Sequence, residues 1–253
     1  MDRVFVVDKP SGLTSHDVVA RVRRALRTRR VGHAGTLDPS ATGVLIVLVG
    51  RATRLAQFFV ECGKRYHGRL VLGSATDSHD ARGAITAVSP YEHVTEREIE
   101  RVFREFEGEI DQVPPMVSAL KHDGTPLYVL ARRGETVERE PRKVRIASLR
   151  LMSVALPVVE FDVSCSRGTY VRMLAHDIGH KLGTHAHLKT LTRTEVGPFS
   201  LDEAVTLQEI DVSGPEAQNL GLSMFDALAF LPQLHLTGGE LDTISTGGAI
   251  EIS

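Results

Sequence analysis

The sequence predicts an α+β domain built on a central mixed or largely antiparallel sheet flanked by helices and loops. Three observations carry this reading. Strand-like and helix-like segments follow one another without the regular βα alternation of a parallel sheet. The run GVLIVLVG at 43–50 is continuous and β-branched, which suits a strand buried on both faces. Apolar residues make up 42% of the 253-residue chain and charged residues 25%, so a sizeable core is expected.

In chain order, VFVV (4–7) reads as a short strand and DKPSG (8–12) as a turn. Thr14 or Ser15 caps a helix whose first turn holds Asp17, with Val18, Val19, Val22 and Leu26 at helical spacing. RATRLAQFFVE (51–61) reads as helical. KRYHGRLVLG (64–73) alternates as a strand, with Tyr66, Gly68, Leu70 and Leu72 on one face. Thr95 and Glu98 form a capping box ahead of a core-facing helix marked by Ile99, Val102, Phe103, Phe106 and Ile110. Residues 112–144 form a long, turn-rich excursion with a short helix near 126–133, and such excursions are often functional. Two strands follow at 144–154 and 158–165, then a helix from Thr169 to Leu182 ended by Gly183. A strand near 187–196 and a capped short helix after Ser200 complete the body. A boundary is expected near 224, dividing a domain over 1–224 from a tail, 225–253, too short to fold alone.

Composition excludes several classes. The longest apolar runs are too short to span a bilayer, so no membrane is expected as a partner. The N-terminus has neither a basic leader nor a long apolar stretch. Cys62 and Cys165 lack CxxC spacing and read as reduced thiols in a cytoplasmic protein. Walker A, GxGxxG and GxSxG patterns are missing from the sequence. The net charge of −2 hides an asymmetry: residues 1–70 carry thirteen Lys/Arg against five Asp/Glu, whereas residues 194–253 carry ten acids and no base. A basic front points to a polyanion, and RVRRALRTRR, with six arginines in ten residues, offers a phosphate-binding face.

The chemistry concentrates in three stretches. In GHAGTLDPSATGVL (32–45), Asp38 is held between Gly35, which permits a sharp turn, and Pro39, which fixes the chain, with the apolar strand behind. The alternative is an Asp-Pro turn formed for local hydrogen bonding. In CSRGTYVRMLAHDIG (165–179), Tyr170 and Arg172 follow a Gly-Thr turn, and a guanidinium beside Asp38 would stabilise its anion. In KRYHGRL, Tyr66 is flanked by Lys64 and Arg65, as suits an aromatic that stacks on an unstacked base. HDIGH places His176 and His180 at zinc-protease spacing near His185 and His187. Yet Asp177 stands where that motif needs glutamate, so no metal is expected.

These stretches, with DKPSGLTSHDVV, RRVGHAGTLDPSATGVL, KRYHGRLVLGSATDSHDARG, VPPMVSALKHDGTPLYVLARRG and CSRGTYVRMLAHDIGHKLGTHAHLKTLTR in that order, resemble the TruB family of tRNA pseudouridine synthases over roughly residues 4–210. The resemblance implies the pseudouridine synthase fold and conversion of uridine 55 in the T loop of tRNA to pseudouridine. On it, Asp38 is the nucleophile, His33 occupies the space left by a flipped base, and Tyr66 stacks on the target uracil. Tyr170 and Leu191 line the uridine pocket, Arg172 pairs with the acid, Lys9 and Pro10 pack beneath the site, and Gly35 and Thr36 support its loop. Residues 112–144 become an RNA-gripping insertion whose basic end, Arg142, Lys143 and Arg145, contacts phosphate.

The same resemblance implies no cofactor and a stand-alone monomer on the T arm, with no guide RNA. Two departures stand out. Thr192 and Arg193 follow Leu191 where the family commonly carries two arginines, which removes one RNA contact. The acidic tail replaces a PUA-type domain and is a poor phosphate binder. Pseudouridylation breaks C1′–N1 and joins C1′ to C5, so one carboxylate can suffice. Attack at C1′, attack at C6 and proton removal from the sugar all stay open, as does the base that takes the C5 proton.

Overall fold

The computed structural model describes residues 1–118 and 120–250. Its strands are β1 (Arg3–Lys9), β2 (Val31–Ala34), β3 (Thr42–Val49), β4 (Lys64–Leu72), β5 (Ser74–Thr76), β6 (Ile85–Val88), β7 (Gly108–Gln112), β8 (Lys121–His122), β9 (Thr125–Pro126), β10 (Arg142–Ala155), β11 (Val158–Cys165), β12 (Ala186–Val196), β13 (Phe199–Ser200) and β14 (Val205–Thr206). The α-helices are α1 (Ser15–Ala25), α2 (Ala56–Glu61), α3 (Glu96–Phe106), α4 (Leu127–Arg132), α5 (Val171–Lys181), α6 (Leu207–Ser213) and α7 (Gly238–Ser245).

The main sheet runs β14-β1-β3-β12-β4-β11-β10-β7, with β2 on β3 and β13 on β12. It is mixed as expected: β1–β14 and β3–β12 are parallel and the other pairs antiparallel. The β3–β12 seam is held by only Thr42–Thr192 and Gly43–Arg193. Gly43 makes that approach possible: its φ is +95°, and a Cβ there would sit 2.2 Å from the Arg193 carbonyl oxygen. This short seam begins four residues after Asp38, where its loop runs into β3.

Burial follows the strand patterns. Val44 to Val49 are all at most 1% exposed, since α1 and α6 cover one face of β1 and β3 while Phe59 and Phe199 cover the other. On β4 the inward residues pack with α3, α5, β10 and β11, while Arg65, His67 and Arg69 face outward into carboxylates. Thr14 caps α1 in a reciprocal box with Asp17, and Thr95 does the same for α3 with Glu98.

Two sequence expectations are corrected. Helix α3 ends at Phe106, and Ile110 belongs to β7: Glu107 leaves the helical region and Gly108 takes φ +101°. The segment 51–61 begins as a 3₁₀ turn, Gly50–Leu55, and becomes α-helical only at Ala56. Beyond 220 the chain still touches the body: Val4 and Leu222 exchange backbone bonds of 2.8 and 3.0 Å, Ala227 is fully buried, and Phe230 packs on Phe59 and Phe199. Among the described residues, no helix is long and apolar enough to cross a membrane.

Candidate active site

The turn after β2 carries Asp38, and four separate anchors hold it. Ser15 Oγ at the start of α1 accepts from Leu37 N at 2.9 Å and donates to the Leu37 carbonyl at 3.1 Å. The Gly12 amide donates to the Pro39 carbonyl at 2.8 Å. Lys9 is fully buried beneath the loop, its ammonium donating to the carbonyls of Leu13 (2.7 Å), Pro10 (2.9 Å) and Pro39 (3.4 Å). Arg193, 1% exposed, donates from Nε to Val44 O (2.7 Å) and from Nη2 to Gly35 O (3.0 Å), bracing both ends of the turn.

The Asp38 carboxylate meets Arg172 in the forked geometry that matches a guanidinium to a carboxylate, at 2.8 Å from Nε and 3.3 Å from Nη2. Two further Arg172 protons go to the carbonyls of Ser78 and Val117, each at 2.9 Å. The Asp38 side chain is 38% exposed against 5% for Arg172, so the acid opens to solvent while its partner stays dry. Asp38 and Pro39 do open a turn, closed by the Ala41 amide on the Asp38 carbonyl at 3.1 Å, but among the described residues the carboxylate itself bonds no amide of that turn.

A cavity of about 330 Å³ opens beside that carboxylate. Its wall includes Gly35, Thr36, Asp38, Tyr66, Tyr170, Arg172 and Leu191, so seven of the ten residues singled out from the sequence converge there. Lys9 lies buried below the loop, Pro10 is exposed and accepts from the Lys9 ammonium through its carbonyl, and His33 sits on β2; none of the three lines the cavity. Burial, aided by the Arg193 charge, holds the His33 imidazole below its ordinary range, and its Nδ1 is enclosed with no partner among the described residues. Burial also raises the phenols of Tyr66 and Tyr170, each opposed by a neighbouring arginine.

Sequence reasoning missed several contributors. Lys64 and Arg193 both line the cavity, yet each head group is spent on backbone carbonyls. Burial lowers both lysines, Lys9 and Lys64, to about 8. Gln112, 2% exposed, clasps the backbone of Tyr170, accepting from its amide at 2.8 Å and donating to its carbonyl at 3.1 Å. Inward alternation would have flagged Lys64 with Tyr66 and Arg193 with Leu191, whereas Gln112 had no local signal. Arg193 is a buried brace, and the Thr192 hydroxyl bonds Thr42 at 2.8 Å across the seam. In the HDIGH stretch the rings of His176 and His180 lie 4.6 Å apart, and His79 lies 4.6 Å from His176. Burial lowers His176 to about 4. Among the described residues, no three His, Cys, Asp or Glu side chains are arranged to hold a metal ion.

Comparison with known proteins bears on the family and the fold. Residues 23–171 match the family described as TruB family pseudouridylate synthase, N-terminal domain, and residues 172–217 match the tRNA pseudouridylate synthase B C-terminal domain. The chain is 50% identical over 237 residues to tRNA pseudouridine synthase B of Syntrophotalea carbinolica, covering 93% of this chain and 78% of that one. It superposes on a chain of a Cbf5–Nop10–Gar1 complex with a TM-score of 0.77 at 30% identity, covering 97% of this chain and 67% of that one. A chain of the archaeal box H/ACA sRNP Nop10–Cbf5 complex matches with a TM-score of 0.68 at 30% identity, over 91% of this chain and 62% of that one. With more than half its length matched to the family and half its residues identical to a named member, the chain belongs to the TruB family of pseudouridylate synthases.

Proposed function

We propose that the protein isomerises uridine 55 in the T loop of tRNA to pseudouridine, with Asp38 as nucleophile on a uridine flipped out of its stack. The observation that carries this reading is the forked Asp38–Arg172 pair set in the wall of a cavity shared by Tyr66, Tyr170 and Leu191. In the reaction the C1′–N1 bond breaks, the uracil turns, C1′ joins C5, the C5 proton leaves and N1 ends protonated. No redox partner or energy donor is required. Asp38 serves whether it attacks C1′, attacks C6 or takes a proton from the sugar.

Extruding the base costs a few kcal/mol. His33 filling the vacated place and Tyr66 stacking on the uracil offset that cost. Burial raises the phenol of Tyr66, which leaves its hydroxyl protonated while its ring stacks. The enclosed wall protects the detached uracil from water. The insertion at 112–144 and its basic end grip the RNA backbone; Lys143 already rests on Glu109 at 2.6 Å, so phosphate must displace that carboxylate. We assign residues 1–224 to the catalytic domain, and we expect a cytoplasmic monomer acting without cofactor or guide RNA.

The test is incubation of the purified protein with an unmodified T-arm transcript, without added metal, and mapping of pseudouridine. Product at the T-loop uridine is expected. Asp38→Asn should bind the RNA and form none. Product formed near the parental rate by that variant would sink the role given to Asp38, and a parent that leaves the transcript unmodified would sink the function.

A further inference from the structure

At the rim of the cavity, the turn before α5 faces the end of α2. Arg167 and Val60 both line the opening, and beside it Arg167 Nη1 donates to Oε1 of Glu61, the residue after Val60, at 2.6 Å. The two side chains are 60% and 58% exposed. The turn that presents Arg167 is fixed: the Ser166 amide donates to Arg145 O at 2.8 Å, and Ser166 Oγ accepts from Arg145 N at 2.9 Å. The backbone is thus held while the guanidinium reaches into solvent.

Four cations line this cavity among the described residues, and they divide sharply. Lys64, Arg172 and Arg193 are buried, their donors engaged by carbonyls or by Asp38. Arg167 alone of the four has an exposed head, and its acidic partner is equally exposed. An exposed pair of this kind adds little net stability and yields easily to a better partner. A phosphate offers a guanidinium bidentate acceptors and a stronger charge-assisted bond. A nucleotide whose base enters the cavity leaves its flanking phosphates at this rim.

Resting on the reading above, we infer that the Glu61–Arg167 pair is a latch beside the mouth of the uridine cavity, and that Arg167 positions the target nucleotide by exchanging Glu61 for a flanking phosphate. Glu61 then has two effects: it parks the guanidinium in the free protein, and it competes with RNA for it. The exchange moves no covalent bond and needs only that the phosphate outbid a solvent-screened carboxylate.

The experiment measures binding of a T-arm stem-loop transcript across about 50–200 mM salt, together with pseudouridine formation and a melting curve for each variant. Arg167→Ala should weaken binding, raise KM more than it lowers kcat, and flatten the log affinity–log salt slope by about one. Arg167→Lys should restore the slope. Glu61→Gln should tighten binding about two- to fivefold, and should add nothing on top of Arg167→Ala. An Arg167→Ala protein with the parental salt slope would overturn the latch, as would Glu61→Gln with unchanged or weaker affinity. These outcomes are read against a parent that forms pseudouridine; a parent that forms none would instead overturn the function itself.

Discussion

Around Asp38, buried cations hold the chain by its carbonyls. Lys9 takes three, Arg193 takes two, and Ser15 bonds both backbone groups of Leu37. The excursion that faces Asp38 is secured more lightly. Arg172 reaches the Val117 carbonyl, Arg139 donates to Pro114 O at 3.2 Å, and Tyr128 N bonds Ser118 O at 3.0 Å. Its helix α4 has no side-chain cap, and Ser118 Oγ and Arg139 Nε are enclosed without partners among the described residues. On the role proposed for Asp38, a reacting carboxylate must stand still, and the support observed here is made of interactions expensive to break. On the RNA-gripping role proposed for the excursion, a segment that closes on its partner keeps few of them.

Arg172 is the hinge of this contrast, since it bonds both Asp38 and the excursion. Arg172→Met should have the largest effect, slowing single-turnover pseudouridine formation about 10²-fold or more through misplacement of the acid. Arg172→Lys should recover little, because an ammonium cannot reproduce the fork. The same variant should expose the excursion to proteolysis. A slowed enzyme with an unaltered cleavage pattern would show that the two regions are not joined through this side chain.

Arg193 tests the rigid side alone. Arg193→Met keeps much of the volume but strands the Gly35 and Val44 carbonyls, so urea unfolding should report a loss of about 2–4 kcal/mol. The rate should fall with it, while protease cutting in 113–141 stays as in the parent. A destabilised protein with the parental rate would mean that Asp38 holds its place without the brace.

Asp177 adds a pH-dependent test on α5, the helix that presents Arg172. Burial raises its carboxyl from 3.8 to about 6. A raised carboxyl adds stability fully present below pH 3.8 and lost as pH rises through 6, so ionised Asp177 opposes the fold at neutral pH. Asp177→Asn should therefore stabilise by about 1–2 kcal/mol at pH 8, with the gain vanishing near pH 3.8. A constant gain across that range would trace it to packing.

Much of the rigid side was written in local pattern. The apolar run of β3, the alternation of β4 and the Thr14–Asp17 box are short-range signals that tertiary packing reinforces. The same logic failed at Ile110, where helical spacing ran on past Gly108 into a strand. The site was legible only in part. Asp38, Tyr66 and Arg172 stood in unusual local company, but the roles given to His33, Tyr170 and Leu191 rested on family likeness. The Gln112–Tyr170 clasp and the Glu61–Arg167 pair join residues far apart in the chain, and no local spacing encodes them.

The excursion supplies the smallest expected effect. Arg139 makes one bond of 3.2 Å to Pro114, and its Nε is left enclosed without a partner among the described residues. Arg139→Ala therefore removes a weak bond and an unsatisfied donor together, and these changes partly offset one another. Global stability should move by less than about 0.5 kcal/mol. The local consequence should be larger than the global one, because a segment held by few bonds opens on its own. Amide exchange in 113–141 should quicken while exchange in β3 and β12 does not. A matching loss of protection in those strands would mean that the excursion unfolds with the sheet, and the contrast between a fixed acid and a loose grip would no longer stand.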